Sequence, residues 1–418
     1  MGTKPVRILI ITGVYPPMAI AESDHIARLG EGLAARGYDV HVLTGRDVDT
    51  GAVKGCQVHA EIPVWNWGAQ ASVERIAAEV KPDLVFIWFI GSAYGMHPMI
   101  SLLPARLKAT MPGVKVITQI TAPVGVRPKN HPFLTRALLK LKAFAIGGGN
   151  ISYEYGVLLR DSDKVVAMAE PHLQRYAQQL PGLESKAEII PPPPLILMSE
   201  PGEASRRKGR EMLGVPMDVP LFAYFGRIYE GKGIDTLIRA FRIVRDTLPA
   251  ARLAIIGGPT PDWFKSGWRP DELPKLADEI GVGDAVSWTG EFPFDTDAGS
   301  LYLRAADYAV LPFDEGAALN NSSIAACAAH GLPVITTRGA RAEAAFVDAD
   351  NVLLCPPRDP ASLADAMLRL QADAALSARV RRGSEDLTAR HFSWQATLDR
   401  TVAVFDETLG RAGARASA

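Results

Sequence analysis

The sequence predicts two α/β domains in tandem, each a doubly wound parallel sheet with helices on both faces. Three observations predict this. The chain has 418 residues, too many for one ordinary core and suited to two domains of roughly 200 residues each. Short apolar β-rich runs alternate with segments of helical period from one end to the other, as in sheets covered by crossover helices. The alternation also breaks once, at a proline-rich stretch, and then restarts. With 48% hydrophobic and 22% charged residues, the composition has enough apolar surface to fill both cores.

In the first half, Val6–Thr12 reads as a strand and Glu22–Arg36 as the helix after it, with apolar positions at Ile26, Leu29 and Leu33 and a stop at Gly37. Val40–Leu43, Leu84–Phe89, Val114–Ile120 and Val165–Ala169 read as further strands, separated by helical segments at Val73–Val80, Met99–Ala109 and Phe133–Ala145. Pro191 to Pro194 follow a strand at Glu188–Ile190, and the polar run through Arg206, Arg207 and Lys208 extends this into a linker candidate. The second half then reads Leu221–Phe225 strand, Lys232–Thr247 helix, and strands at Leu253–Ile256, Ala285–Trp288, Tyr308–Leu311 and Pro333–Thr336. The expected boundaries are 1–195 for the first domain and 196–393 for the second, with a terminal helix, 394–412, crossing back to brace the first.

A formal charge of −1 excludes a global field that would hold nucleic acid, so any polyanion must meet a local cluster. Cys56, Cys327 and Cys355 have no paired spacing and read as core thiols in a reducing compartment, not as a disulfide or zinc framework. The apolar run Val6–Val14 ends in Tyr15, Pro16 and Pro17 and reads as a buried strand, not a secretion signal. Leu84–Met96, interrupted by Gly91 and Gly95, falls short of the ~20 residues of a spanning helix. A cytoplasmic protein is expected.

The strongest chemical signal is Phe225-Gly-Arg-Ile-Tyr-Glu-Gly-Lys-Gly-Ile-Asp235. It leaves a strand, turns through Gly226, Gly231 and Gly233, and enters a helix with Arg227 and Lys232 near its start, which is how a diphosphate is held. The alternative is a surface turn with solvated charges. A second loop, Leu311-Pro-Phe-Asp-Glu-Gly-Ala-Ala-Leu-Asn-Asn-Ser-Ser-Ile324, follows a strand and supplies Asn320, Asn321, Ser322 and Ser323 at a helix start. These residues offer phosphate-binding N–H groups, or merely cap the helix.

The first of these segments resembles the Gly-Arg then Lys-Gly signature of retaining GT-B glycosyltransferases, in the large family that includes sucrose synthases and phosphatidylinositol mannosyltransferases. Ile8–Tyr15 with Pro16-Pro17, Ser162–Glu170, Glu188–Pro191 and Phe392-Ser-Trp394 resemble further family segments in the same order, so the resemblance covers nearly the whole chain. It implies two Rossmann-like domains facing across a cleft and transfer of a hexose or related sugar from a nucleotide diphosphate sugar to an acceptor hydroxyl. It further implies that the nucleotide-sugar is a substrate, that no cofactor or metal is needed, and that UDP is the commonest nucleotide, with GDP next. Arg227 and Lys232 would hold the charge developing on the leaving nucleotide, and Glu315 would orient the donor sugar. Glu291 and Phe292, at a strand end, match the family's base-binding position or pack at the edge of the core.

The chain departs from the family at several points. The second of two motif glutamates falls on Ala326, a Gly-Gly pair after the Pro-Pro turn falls on Ile20 and Ala21, and a strand-end histidine is replaced in Thr118-Gln119-Ile120-Thr121. Glu22 and His25 at the first helix start, with Gln119 or Thr121, are the acceptor-binding candidates. First-turn acidity and capping explain Ser23 and Asp24 equally well. The acceptor itself would be a glycan, a glycolipid or a small molecule. The segment Phe133–Ile146 carries Arg136, Lys140 and Lys142 among leucines and suits either the solvated side of a domain or an anionic membrane bearing a lipid-linked acceptor. Two rival readings remain: an epimerase or phosphorylase of the same fold, and a sugar-nucleotide-binding protein that has lost catalysis.

Overall fold

The computed structural model describes residues 4–18, 21–48, 51, 53–95, 97–121, 137, 141, 144, 155–178, 180–259, 269–293, 296–340 and 343–411. The chain divides into two compact units, one of Met1–Pro191 with Thr397–Ala418 and one of Pro192–Ala396.

In chain order the first unit contains β1 (Arg7–Thr12), α1 (Ala21–Ala35), β2 (Asp39–Gly45), β3 (Cys56–Ile62), α2 (Ala69–Val80), β4 (Leu84–Phe89), α3 (Met99–Thr110), β5 (Lys115–Ile120), α4 (Gly156–Asp161), β6 (Lys164–Ala167), α5 (Glu170–Ala177) and β7 (Ala187–Ile189). Its seven strands lie in the order β3-β2-β1-β4-β5-β6-β7, all parallel. Alternation along β1 shows why both faces must be covered. Ile8 and Ile10 join one buried cluster with Ile26, Leu29 and Leu33 of α1, whereas Leu9 and Ile11 join another with Val73, Ile76 and Leu103 of α2 and α3. Strand β4, Leu-Val-Phe-Ile-Trp-Phe, is buried at all six positions.

The second unit contains α6 (Glu203–Leu213), β8 (Leu221–Phe225), α7 (Ile234–Thr247), β9 (Arg252–Ile256), α8 (Glu272–Glu279), β10 (Val286–Gly290), α9 (Ala298–Ala305), β11 (Tyr308–Leu311), α10 (Ser322–Ala329), β12 (Val334–Thr337), β13 (Leu353–Cys355), α11 (Pro360–Ala372) and α12 (Ala374–Leu387), and α13 (Trp394–Thr408) closes the chain. Its six strands follow the order β10-β9-β8-β11-β12-β13, again parallel. Within the first unit, the end of α13 is tied down by Asp399 against Arg36 at 2.6 Å and Glu407 against Lys164 at 2.7 Å, with Phe405 fully buried.

Sequence reasoning named neither the strands β3 and β13 nor the helices α4, α5, α8, α9, α11 and α12, and it missed α6. The last is a correction, because the polar run assigned to a linker is a helix. Arg206 and Arg210 lie one turn apart on α6 and both reach Asp307, at 2.6 and 2.8 Å, which partners a face that reads as solvated in one dimension. Of the proposed basic helix Phe133–Ile146, only Ala137, Leu141 and Phe144 are among the described residues. They are helical, with Leu141 and Phe144 exposed; Arg136, Lys140 and Lys142 lie outside the described residues. The three cysteines are free thiols, Cys327 and Cys355 buried.

His330, 7% exposed, sits in a buried relay. Its Nε2 accepts from Ser300 Oγ at 2.7 Å and its Nδ1 donates to the Ala326 carbonyl at 2.7 Å, while Ser300 Oγ accepts from the Ser199 N–H at 2.9 Å. Burial holds this imidazole neutral, with its pKa lowered from 6.5 to about 4, and does the same to His172, also to about 4. The unfolded chain therefore binds more protons than the folded one between those values. Stability is full above pH 6.5 and falls as the pH drops toward 4, by about 1–3 kcal/mol per histidine. Unfolding midpoints measured from pH 7.5 to 4.5 are expected to decline, and His330→Gln is expected to flatten the decline.

Candidate functional site

Strand β8 ends at Phe225 and α7 begins after Gly233, so the turn between them carries both sequence-predicted cations. Gly226 and Gly233 have φ of 132° and 67°, where a side chain is strained. Space excludes one too: a Cβ at Gly226 would meet Ser323 Oγ, and one at Gly233 would meet the Pro312 carbonyl oxygen. The turn is thus packed directly on the loop from β11 to α10, and the Asp314 N–H donates to the Gly231 carbonyl at 2.9 Å. Two motifs about 80 residues apart in sequence form one constellation within the second unit.

At its centre is Lys232, 9% exposed. Its ammonium lies 4.7 Å from the Tyr229 ring centroid and 4.6 Å from that of Phe313, an arrangement in which the ring faces attract the cation. No carboxylate among the described residues pairs with it. Arg227, 38% exposed, instead pairs with Glu291 from the end of β10, itself 59% exposed. An ion pair this open to water contributes little to stability and exchanges readily. Phe292 packs toward Phe225 and Tyr302, with ring centroids 6.1 and 6.4 Å away.

The loop from β11 places Glu315 at the surface, exposed and with no ion pair among the described residues. Asn321 caps nothing with its side chain; its Oδ1 accepts from the Ala318 N–H at 2.7 Å and closes the loop. The first-turn N–H groups of α10, at Ser322 and Ser323, remain as the orphan donors that a helix start offers an anion. Asn320 precedes them and is half-buried. Ala326, where the second motif glutamate is missing, is 1% exposed inside α10.

Sequence reasoning missed three residues here. Glu343 is 7% exposed and its carboxylate accepts from the Leu319 N–H at 3.1 and 3.2 Å, pinning the loop that carries Glu315. Tyr229 and Phe313 form the cradle of Lys232. Their proximity to the two cation motifs was the available signal, although nothing in the spacing says that the rings face one ammonium.

The acceptor candidates belong to the first unit. Glu22 is half-buried in the first turn of α1. His25 is 2% exposed, its ring edge-on to Trp88 with centroids 4.7 Å apart, and burial lowers its pKa to about 3. Gln119 and Thr121, 3% and 7% exposed, end β5, and Thr121 Oγ1 donates to the Phe89 carbonyl at 3.4 Å. Ile20 lies outside the described residues. Among the described residues no group of three or more His, Cys, Asp or Glu side chains is placed to hold a metal, and no helix is long and apolar enough to cross a membrane.

Residues 219–373 match the family model described as glycosyl transferases group 1, a range that contains the whole constellation. The chain is similar to a D-inositol 3-phosphate glycosyltransferase of Acidothermus cellulolyticus, 27% identical over 92% of this chain and 85% of that protein. A protein of the same name from Thermomonospora curvata is 28% identical over 58% of this chain, a match that spans only 57% of that relative's length. Among solved structures, a glycosyltransferase from Rickettsia africae superposes with a TM-score of 0.70 at 15% identity, covering 97% of this chain and 99% of its own. HepE of Anabaena, in complex with UDP and glucose, does so with a TM-score of 0.68 at 16% identity, covering 96% and 100%. Residues 219–373 are therefore similar to a glycosyl transferases group 1 domain, and the fold of two Rossmann-like parallel-sheet units is that of the GT-B enzymes.

Proposed function

We propose that this protein moves a hexose or related sugar from a UDP-sugar to an acceptor hydroxyl, with retention and with no metal or other cofactor. The observation that carries the reading is Lys232, an ammonium 9% exposed, cradled by two rings and unpaired with any carboxylate among the described residues. Holding a cation there without a counter-ion costs free energy, and an incoming diphosphate removes that cost. Arg227 supplies the second charge once it exchanges Glu291 for phosphate, and the α10 first turn supplies N–H donors. As the bond from the anomeric carbon to the donor phosphate oxygen breaks, both cations stabilise the charge left on the nucleotide. The acceptor oxygen forms its bond on the same face, and its proton passes to the departing phosphate oxygen. Glu315, on the loop anchored by Glu343, orients the donor sugar, while Gln119, Thr121, Glu22 and His25 shape the acceptor side. The reaction belongs in the cytoplasm, with peripheral membrane contact where the acceptor is lipid-linked.

Support for UDP is family frequency together with the UDP bound by HepE. A thermal-shift panel of UDP, GDP, ADP and their glucose conjugates tests the reading. Binding to the folded state alone stabilises it by about 2.7 kcal/mol at a hundredfold excess over Kd, and so raises the midpoint. UDP compounds are expected to give the largest shift, and no shift with any of the six overturns the proposal.

A further inference from the structure

The first unit exposes one rigid aromatic surface that nothing above uses. Trp67 is 53% exposed and Val64 61%, in the turn from β3 to α2, and Trp67 meets the His97 ring with centroids 5.0 Å apart and planes at 77°. His97 lies in the turn from β4 to α3. Both turns follow carboxyl ends of parallel strands, the side on which open α/β sheets bind ligands.

Neither turn is a loose surface loop, because both are anchored on buried Tyr94. Trp65, two residues before Trp67, packs edge-on against the Tyr94 ring at 4.9 Å, and the His97 N–H donates to the Tyr94 carbonyl at 3.1 Å. The Tyr94 hydroxyl is shared between the carbonyls of Ile11 and Trp88, at 3.0 and 2.8 Å, so the whole assembly hangs from the ends of β1 and β4. Asn66 Oδ1 accepts from the Gly68 N–H at 2.8 Å and tightens the turn. The histidine tautomer follows from its partner: Nδ1 accepts from the Met99 N–H at 3.2 Å, which leaves the hydrogen on Nε2 as a donor.

We infer that Trp67 and His97 form a carbohydrate subsite, where the apolar face of a neutral pyranose lies on the indole and a hydroxyl accepts from His97 Nε2. An aromatic ring with a polar donor beside it suits a ligand with one apolar face and a rim of hydroxyls. The residues of both turns, Pro63–Gln70 and His97–Met99, include no Lys, Arg, Asp or Glu. That composition disfavours a phosphorylated ring and an anionic membrane, each of which needs cations at the contact. The inference rests on the transfer reading, since it names the class of acceptor that the first unit receives.

Saturation-transfer NMR of the full chain with maltose, cellobiose, lactose and chitobiose tests it. At least one sugar is expected to bind through its ring protons, with Trp67→Ala weakening binding roughly tenfold, Trp67→Phe retaining most of it and His97→Gln retaining part. Trp67 is half in water, so its replacement leaves the fold intact, which thermal unfolding checks. Absence of saturation with all four sugars, or equal binding by Trp67→Ala, overturns the subsite. Hydrolysis of UDP-glucose without acceptor, measured in parallel, reports the donor site alone. Its absence in the wild-type chain, together with no thermal shift from any of the six nucleotide compounds, sinks the transfer reading, whereas unchanged hydrolysis in Trp67→Ala beside weakened sugar binding isolates the subsite.

Discussion

Replacing Lys232 by alanine is expected to lower turnover of the nucleotide-sugar by roughly 100- to 1,000-fold, the range seen when one preorganised donor to a developing negative charge is removed. The loss should fall mainly on kcat, because the ammonium meets more charge as the nucleotide departs than it meets on the bound donor. Steady-state assays of released UDP measure it. A stability measurement separates this role from a structural one. Lys232 is buried between Tyr229 and Phe313 without a carboxylate partner among the described residues, so Lys232→Met, which keeps the stem in its cradle, should hold or raise the unfolding midpoint. A lysine kept for packing and charge balance would show the opposite pattern, an unfolding midpoint that drops while turnover survives.

Asp307→Ala is expected to destabilise the second unit by about 3–5 kcal/mol, the largest stability effect of any single change considered. The Asp307 carboxylate holds Arg206 and Arg210 from α6 and accepts the Leu221 N–H at 2.8 Å, which fixes the start of β8. Arg210 is 1% exposed, and burial already pushes its guanidinium down from its ordinary value, with Asp307 opposing the shift. Its other partners, the carbonyls of Ala305 and Val219 at 3.0 and 2.9 Å and that of Pro216, are neutral and cannot replace the lost charge. Chemical denaturation followed by tryptophan fluorescence reads the loss. Each unit has its own core, so the transition is fitted as two steps. A change below 1 kcal/mol would show that water reaches Arg210 in solution.

These two residues also mark how much a linear reading reveals. Lys232 was legible as a candidate because the turn that carries it is local order: a strand, glycines that permit the turn, and a helix start, all within eleven residues. Asp307 and Arg210 were not, since an ion pair across 97 positions leaves no periodic trace. For the same reason α6 read as a polar linker, its charges being satisfied by a residue from a distant strand end. Glu343 was missed likewise, because only the folded chain brings it to the Leu319 N–H.

By itself, the sequence determined the class and order of the architecture, because strand and helix periods and glycine turns are properties of neighbouring residues. It also singled out the two loops on which the proposed donor site rests. Tertiary structure alone decided that Gly226 touches Ser323 and Gly233 touches Pro312, so that the two loops become one surface. It decided as well that Lys232 is cradled by rings while Arg227 turns to Glu291. Such facts depend on distances between segments far apart in the chain, and local backbone preference carries no information about them until the sheet has set its strands side by side.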